Sequence, residues 1–173
     1  MIIWFTGLSG SGKTTFSKYL IKKLKKKIQK KIIHIDGDEF RLVFNDLKYS
    51  LKDRIKNAAR VSKLVNFLNK SGNFIIIASI LSISQRWLNW NKKNNKDYFQ
   101  IFIDVPIHIL KKRNIRNVYT KKNVVGININ FSRPKKNFFV IKNNFKKKYM
   151  HTETRKFLQN KKIKKILKRY EKN

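Results

Sequence analysis

Residues 2–15 of the chain read IIWFTGLSGSGKTT, and this stretch decides the fold. Five apolar or β-branched residues come first, which predicts a buried strand. Glycines at positions 7, 10 and 12 follow and predict a tight loop, because glycine accepts backbone angles that other residues avoid. Apolar residues then recur at helical spacing, at Phe16, Leu20, Ile21 and Leu24. The stretch therefore predicts a strand, a glycine loop and a helix in that order, the first unit of an α/β fold.

The glycine loop has the spacing of a phosphate-binding loop, in which two glycines separated by four residues precede Lys13 and Thr14. Glycines let the backbone curl so that its N–H groups point at phosphate oxygens, and the start of the helix adds partial positive charge there. Lys13 is predicted to reach the β- and γ-phosphates of ATP, and Thr14 to supply a hydroxyl ligand to Mg²⁺. The predicted ATP-binding residues of this loop are Gly7, Leu8, Ser9, Gly10, Ser11, Gly12, Lys13, Thr14 and Thr15.

Strand and helix patterns alternate along the rest of the chain. A helical pattern covers residues 52–70. This alternation predicts an α/β fold of the P-loop NTPase class, with a mainly parallel sheet and helices on both faces. Composition marks no second domain, so residues 1–173 are interpreted as a single kinase-sized domain. Apolar runs predict four further strands, at residues 32–35, 74–80, 99–105 and 138–141.

The tail, residues 142–173, is a Lys-rich helical pattern. We expect it to form an amphipathic helix that packs on the domain and leaves a charged face in solvent. Its apolar stripe comprises Phe157, Ile163, Ile166, Leu167 and Tyr170.

The chain is strongly basic, with 43 Lys and Arg against 9 Asp and Glu and a net charge of +34. Such a charge attracts nucleic acids, anionic membranes and small polyanions. The chain is also rich in Lys, Asn and Ile together, a bias that A/T-rich coding alone produces, so the charge has a purely compositional explanation as well. With 41% hydrophobic residues the chain is not a disordered polycation.

Several classes of protein are excluded by what the sequence lacks. The chain has no cysteine, which excludes a thiolate nucleophile and a cysteine-based zinc site. The longest apolar run, residues 74–83, is shorter than the roughly 20 residues that span a bilayer. No export signal precedes the first predicted strand, so we expect a cytoplasmic protein without membrane contacts.

Acidic residues cluster in one segment, since five of the nine fall between Asp36 and Asp53. Asp36 ends the second predicted strand, and ligands of open α/β sheets bind at the carboxyl ends of strands. Asp36 and Asp38 are predicted to hold the water shell of a metal and to orient an acceptor hydroxyl, although Asp38 can also cap the next helix. Arg41 is predicted to pair with an anionic group of the substrate. The same acids would repel nucleic-acid phosphates at the cleft, so specific nucleic-acid binding is not expected.

Further short stretches follow the phosphate loop in an order that is specific to one family. Together they resemble adenylylsulfate kinase, which uses ATP to phosphorylate the 3′-hydroxyl of adenosine 5′-phosphosulfate. The resemblance covers about residues 2–141. Its matching stretches are residues 4–15, 36–38, 46–50, 53–54, 78–80, 104–106, 113–119 and 123–127, together with Arg41, Asn57, Arg60 and Pro134.

The resemblance implies a catalytic centre of Lys13, Asp36 and Asp38, with ATP as co-substrate and Mg²⁺ as the metal. In this centre Asp38 takes the proton of the acceptor hydroxyl, and Asp36 lies beside the metal with Thr14. Arg113 and Arg116 are implied to clamp the ATP phosphates as a lid closes. The implied substrate-binding residues are Asp38, Arg41, Tyr49, Arg54, Asn57, Ile80 and Lys121.

Each implied substrate-binding residue has its own part. Tyr49 stands where the family stacks an aromatic ring on adenine. Arg54 and Asn57 match a pair that holds the phosphosulfate end, Ile80 matches a wall of the same pocket, and Lys121 lies in the lid. The partner is then a small nucleotide, and the resemblance also implies that the chain can form a homodimer.

The chain departs from the family pattern mainly on the acceptor side. The Ile-Ser-Pro-Tyr stretch of the family is residues 80–83, Ile-Leu-Ser-Ile, here, so we expect direct in-line transfer without a phosphoserine intermediate. The Asn-Phe-Thr-Gly stretch is residues 123–126, Asn-Val-Val-Gly, which loses an aromatic ring that helps to hold adenylylsulfate. The lid between Tyr119 and Asn123 is also several residues shorter.

These departures leave two alternatives to the predicted adenylylsulfate kinase of sulfate assimilation. The Asn-Val-Val-Gly-Ile form also resembles relatives in surface-polysaccharide pathways, some of which phosphorylate another nucleotide conjugate such as cytidine diphosphoramidate. The second alternative is a basic P-loop protein that binds nucleotide or nucleic acid without turnover.

Overall fold

The computed structural model describes residues 1–28 and 31–171, and it contains one five-stranded parallel sheet with the strand order β2-β3-β1-β4-β5. The strands are β1 (Ile2–Thr6), β2 (Ile32–Asp36), β3 (Ile75–Ser79), β4 (Tyr98–Asp104) and β5 (Phe139–Lys142). The α-helices are α1 (Lys13–Leu24), α2 (Gly37–Val43), α3 (Leu51–Ser71), α4 (Gln85–Asn94), α5 (Ile107–Arg113), α6 (Lys147–Gln159) and α7 (Lys161–Glu171), and a 3₁₀ helix covers Ile115–Thr120.

Helices cover both faces of the sheet, which confirms the predicted α/β fold with a parallel sheet. One face packs against α1, α5, α6 and α7, and the other packs against α2, α3 and α4. Alternate residues of β1 serve the two faces, since Ile3 and Phe5 belong to the first core cluster and Ile2 and Trp4 to the second. Strands buried on both sides need apolar residues at every position, which explains the continuous apolar runs in the sequence.

The predicted strands are all present, with boundaries that differ by one residue in most cases. The last strand, predicted at residues 138–141, covers Phe139–Lys142. The predicted helix at residues 52–70 covers Leu51–Ser71. Ser50 is its N-cap, and the Ser50 hydroxyl accepts a hydrogen bond from the backbone N–H of Asp53.

The tail forms two helices, α6 and α7, instead of the single helical pattern that was predicted. The helical conformation is interrupted at Asn160. The side-chain oxygen of Asn160 accepts hydrogen bonds from the backbone N–H groups of Lys162 (3.0 Å) and Ile163 (3.4 Å) and so caps α7. The predicted apolar stripe is buried in the same core cluster as β1 and β4, with Ile163 0% exposed. The prediction that the tail packs on the sheet is therefore confirmed, whereas the interpretation of residues 1–173 as one domain stays a prediction.

The fold brings the predicted functional segments to one edge of the sheet. The glycine loop follows β1, Asp36 ends β2, and Ile80 follows β3. Because these three strands are parallel neighbours, with Ser79 paired to both Phe5 and Asp36, their carboxyl ends meet. Among the described residues, no helix is long and apolar enough to cross a membrane.

Candidate active site

The loop between β1 and α1 has the backbone of a tight phosphate-binding turn. Gly7, Gly10 and Gly12 all have positive φ, at 151°, 71° and 102°. A Cβ at Gly7 would lie 2.5 Å from the carbonyl oxygen of Ile103, and one at Gly12 would lie 2.7 Å from the side-chain nitrogen of Asn143. These two positions therefore require glycine for two reasons: the positive φ angle, and the neighbouring atoms that would clash with a Cβ.

Lys13 begins α1, and its side chain lies over the loop. Its Nζ donates hydrogen bonds to the carbonyl oxygens of Gly7 (3.1 Å) and Leu8 (2.9 Å). Burial lowers the pKa of Lys13 to about 8, and the charges of Asp38 and Asp36 oppose that shift. Two carboxylates thus lie close to the ammonium group, and a phosphate beside it would favour the charged form further.

Asp36 has two partners, and both fix its position. One carboxylate oxygen accepts a hydrogen bond from the Thr14 hydroxyl at 2.7 Å, and the other accepts from the backbone N–H of Asp38 at 3.0 Å. Asp36 is therefore the residue that caps α2, and the suggestion that Asp38 provides the cap is wrong. The reason is geometric, since Asp38 already lies inside the first turn of the helix.

The Thr14 and Asp36 pair fits a magnesium ion. Mg²⁺ takes oxygen ligands, commonly one or two protein groups with phosphate oxygens and water supplying the rest. The hydroxyl and carboxylate oxygens are 2.7 Å apart and lie at the opening of the phosphate loop. Among the described residues no group of three or more His, Cys, Asp and Glu side chains could hold a metal ion.

Asp38 is exposed in the first turn of α2, directly after the end of β2. Its backbone N–H donates to Asp36, and Asp36 accepts from Thr14, the residue next to Lys13, so these contacts link Asp38 to the end of the glycine loop. Burial lowers the pKa of both Lys13 and Arg54, and the negative charge of Asp38 opposes both shifts. The predicted catalytic residues Lys13, Asp36 and Asp38 are thus brought together.

Arg41 is buried, with 5% of its surface exposed, and it holds the segment that follows α2. Its guanidinium donates to the carbonyl oxygens of Asp46 (3.3 Å) and Lys48 (3.0 Å) and forms an ion pair with Asp46 at 3.8 Å. The ring of Tyr49 lies near two guanidinium groups, 4.9 Å from that of Arg41 and 5.3 Å from that of Arg54. Arg41 therefore orients Tyr49, and its predicted contact with substrate stays a prediction.

Arg54 joins α3 to the segment after the 3₁₀ helix. It donates to the carbonyl oxygens of Tyr49 (3.0 Å) and Asn123 (2.9 Å), and its pKa is lowered chiefly by burial and next by Arg41. Asn57 lies one turn further along the same helix with 4% of its surface exposed, and its side-chain oxygen has no hydrogen-bond partner within the described residues. Ile80, predicted as a pocket wall, is 2% exposed and packs beneath Gly37.

The predicted lid residues lie at the end of α5, in the 3₁₀ helix and directly after it. Arg113 stacks on the ring of Phe145, with 3.7 Å between the guanidinium carbon and the ring centre. Lys121 follows the 3₁₀ helix and is exposed, and the side chain of Arg116 lies outside the described residues. The roles of these three residues stay predictions.

Two residues that sequence reasoning missed support the phosphate loop directly. The buried side chain of Asn143 donates to the carbonyl oxygen of Ser11 at 2.8 Å and accepts from the backbone of Phe145 at 2.9 Å. The hydroxyl of Tyr119 donates to the carbonyl oxygen of Ser9 at 2.7 Å, and burial raises its pKa to about 12. Both reach the loop from more than a hundred residues away, and only the position of Asn143 directly after the last strand could have signalled its role.

Comparisons with known proteins agree with this arrangement. A family model described as adenylylsulphate kinase matches residues 1–142, which confirms the resemblance that the motifs predicted. The chain is 39% identical over 139 residues to the cytidine diphosphoramidate kinase of Campylobacter jejuni, a match that covers 77% of this chain and 81% of that protein. It is 34% identical over 142 residues to the adenylyl-sulfate kinase of Clostridium acetobutylicum, covering 78% of this chain and 70% of that protein.

A solved structure shares both the fold and the sequence signature. The APS kinase of Mycobacterium tuberculosis, solved in complex with AMPPNP and APS, matches with a TM-score of 0.79 and 25% sequence identity. That match covers 91% of this chain and 94% of the other. These similarities agree with the phosphate loop and with the carboxylates around it. The chain therefore belongs to the adenylylsulphate kinase family of P-loop kinases.

Proposed function

We propose that the protein transfers the γ-phosphoryl group of ATP to a ribose hydroxyl of a nucleotide conjugate. The observation that carries this proposal is the chain of contacts from Thr14 of the phosphate loop through Asp36 to the backbone of Asp38, which holds Asp38 beside the loop. A base between the donor and acceptor sites is what transfer to a hydroxyl requires.

The donor side binds and orients the triphosphate. Backbone N–H groups of the glycine loop and the ammonium group of Lys13 hold the β- and γ-phosphates. Thr14 and Asp36 would hold Mg²⁺, which neutralises charge on the phosphate oxygens when it is bound. Tyr119 and Asn143 keep the loop in shape through the carbonyl oxygens of Ser9 and Ser11.

The conjugate that is bound on the acceptor side supplies the nucleophile, a ribose hydroxyl. Asp38 accepts the proton of the ribose hydroxyl as that oxygen bonds to the γ-phosphorus, while the bond from this phosphorus to the bridging oxygen of ADP breaks. The products are ADP, the phosphorylated conjugate and one proton. Positioning and charge neutralisation account for most of the rate in such a transfer, because the protein forms no covalent bond.

Among acceptors we favour cytidine diphosphoramidate. The side-chain oxygen of Asn57 is buried and has no partner within the described residues, and we propose that a local rearrangement on acceptor binding lets it accept a hydrogen bond from the conjugate. The phosphoramidate end of this conjugate carries N–H donors, whereas the sulfate end of adenylylsulfate carries only acceptor oxygens. The similarity to the kinase of Campylobacter jejuni also supports this acceptor.

The segment at residues 123–126 supports the same choice. Val124 and Val125 are 4% and 2% exposed, so the side chains that replace the aromatic and hydroxyl groups of the family pattern are turned into the protein. The segment therefore offers no second ring to a purine. Tyr49 supplies one stacking surface, and one ring is sufficient to hold a smaller pyrimidine.

Adenylylsulfate, the acceptor that the sequence predicts, is the second candidate. The family model and the Mycobacterium tuberculosis enzyme, whose structure contains APS, support it. Arg54 would bind the anionic end of either conjugate, so this residue does not distinguish between them.

A transfer assay tests the proposal. Purified protein is given ATP labelled at the γ-phosphate, Mg²⁺ and one of five acceptor conditions: cytidine diphosphoramidate, adenylylsulfate, AMP, CMP or no acceptor. We expect label on cytidine diphosphoramidate at the highest rate and none on AMP or CMP. Label on adenylylsulfate alone would reverse the order of the two candidates, and label on neither conjugate would refute the proposal.

An Asn57→Leu variant refines this assay, because it removes the acceptor oxygen while keeping a side chain of similar size in a buried position. We expect the KM for cytidine diphosphoramidate to rise about tenfold, with the KM for ATP unchanged. Asn73→Leu, at an exposed position just after the same helix, is the matched control. Equal acceptor KM values for the two variants would remove Asn57 from the acceptor site.

A further inference from the structure

A groove of about 380 Å³ lies between α1 and α6, outside the kinase site. Its floor carries Tyr19, Met150 and His151, with the Tyr19 and His151 rings stacked 4.5 Å apart and 8° from parallel. The remaining lining residues are all lysines, namely Lys22, Lys23, Lys26 and Lys147. The groove therefore combines aromatic and apolar material with four cations.

None of the described residues that line this groove is acidic. The sequence of α1 contains none, and the one acid of α6 before its last turn is Glu153. Glu153 is 5% exposed and pairs with Lys156 at 2.8 Å, so its charge is already compensated. The cations of the groove therefore attract anions without local competition, in contrast to the kinase cleft with its clustered carboxylates.

The cations form two rows that extend beyond the groove. On α1 the exposed residues Lys18 and Lys22 are four residues apart, and Lys26 follows two residues after the helix ends. On α6 the exposed cations are Lys147 and Arg155, with His151 between them at the same spacing. Residues four apart on one face of a helix are separated by about 6 Å along its axis, so the cations follow a track of roughly 12 Å, which suits a chain of phosphates better than a single ion.

The two rows run in the same direction. Near their beginnings the two helices are joined by the contact of Asn143, which precedes α6, with Ser11, which precedes α1. One turn into the helices they are joined again, because His151 of α6 stacks on Tyr19 of α1. Both helices therefore lead away from the phosphate loop side by side. A strand lying between them would meet cations on both sides along its length.

We propose that this groove binds the phosphate backbone of single-stranded nucleic acid without regard to sequence. Grooves that bind single strands combine a positively charged track with aromatic side chains. The proposal is compatible with the expectation from sequence that specific nucleic-acid binding is absent, because contacts to phosphates carry no base information. It also gives a located role to part of the +34 charge, for which coding bias is the other explanation.

The test compares two variants with the same net charge. The groove variant is Lys22→Ala/Lys26→Ala/Lys147→Ala, and the control is Lys92→Ala/Lys93→Ala/Lys96→Ala, three exposed lysines around the end of α4. Binding of a fluorescently labelled 12-nucleotide oligouridine is measured by anisotropy, with a non-hydrolysable ATP analogue and Mg²⁺ present to occupy the kinase site. Thermal melting of both variants checks that they are folded.

We expect the groove variant to lose at least about tenfold in affinity at physiological salt, and the control to lose less than about twofold. The slope of log affinity against log salt should fall by about 2 for the groove variant, since each lost phosphate contact on a single strand contributes about 0.7. Equal losses in the two variants would mean that the charge acts diffusely and would overturn the proposal. Groove-dependent binding of inorganic pyrophosphate or phosphatidylserine vesicles without oligouridine binding would overturn it as well.

Discussion

The donor side and the acceptor side of the cleft are held together in different ways. On the donor side, Lys13 and Thr14 follow a glycine loop of six residues, and their partners are the loop itself and Asp36. On the acceptor side, Arg54 bridges the backbone of Tyr49 and that of Asn123, 69 residues further along the chain. The phosphate-binding groups of the donor site thus come from one short stretch, which Tyr119 and Asn143 support from a distance, whereas the acceptor site is itself assembled from distant segments. We expect the family's phosphoryl donor to be retained and its acceptor to change more readily.

The largest expected effect is on the donor side. Lys13→Ala removes the ammonium group from the phosphate loop, and we expect kcat to fall by about 10³-fold with either acceptor, because charge stabilisation in the transition state is lost. Initial rates with labelled ATP measure this loss. Lys25→Ala, an exposed position at the end of the same helix, should be unaffected. Transfer that persisted in Lys13→Ala would contradict the assignment of the donor site.

The next effect concerns the carboxylate between the two sides. Asp38→Asn keeps the size of the side chain and removes its basicity, so we expect kcat to fall by about 10²-fold while ATP binding stays near the wild-type value. Calorimetry with a non-hydrolysable ATP analogue separates the two quantities. Glu39→Gln, at an exposed neighbouring position, is the control. A wild-type kcat in Asp38→Asn would mean that Asp38 does not accept the proton.

Arg54→Ala should separate the two sides. We expect the acceptor KM to rise about tenfold, because a charged hydrogen-bond donor is lost, with no change in the KM for ATP. Steady-state kinetics with one substrate varied at a time measures both constants, and Lys52→Ala in the first turn of the same helix is the control. An equal rise in both KM values would show that Arg54 supports the whole cleft and not the acceptor alone.

Asn143→Ala should weaken the donor side alone, by removing a side chain that holds the carbonyl oxygen of Ser11. The expected change is a loss of about fivefold in kcat/KM for ATP, the size of one buried hydrogen bond. Asn144→Ala is the control, since Asn144 is exposed and contacts only its own turn. Asn143→Leu, which keeps the volume of the side chain but loses the donor to Ser11, should behave like Asn143→Ala. If Asn143→Leu retained full activity, packing and not the hydrogen bond would be responsible.

The smallest effect is a pH dependence of the donor side. Burial lowers the pKa of Lys13 to about 8, so the ammonium group of the free protein is lost as pH rises through that value. We expect kcat/KM for ATP to fall about fourfold between pH 7 and 8.5. The fall in kcat should begin at higher pH, because bound phosphates favour the charged lysine. A kcat/KM that stayed level beyond pH 9 would show that Lys13 remains charged in the free protein.

The same contrast explains what could be predicted from the sequence. The sheet and the glycine loop follow from local patterns, because apolar runs and glycine spacing act within a few residues of one another. The sequence left Asp38 open as a helix cap, and the cap belongs to Asp36, since both positions satisfy the same pattern and only the start of α2 distinguishes them. The break of the tail at Asn160 was missed because the apolar stripe continues across it.

Contacts between distant segments could not be predicted in the same way. Asn143 and Tyr119 support the phosphate loop through backbone carbonyl groups, and carbonyl groups leave no trace in the sequence of the loop. Arg41 also bonds to backbone carbonyl groups, those of Asp46 and Lys48, and the sequence did not indicate these contacts. Its predicted contact with the substrate stays a prediction. In a chain this rich in Asn and Lys, composition alone marks none of these positions.

The ratio of kcat/KM for cytidine diphosphoramidate to kcat/KM for adenylylsulfate tests the central claim most directly. It is measured with both conjugates competing in one reaction with labelled ATP, so that the same donor site serves both. A ratio above about ten would correspond to more than 1.4 kcal/mol of discrimination, and this is the result we expect from Asn57 and the buried valines. A ratio below one would contradict the assignment of the acceptor, and transfer to neither conjugate would contradict the kinase function itself.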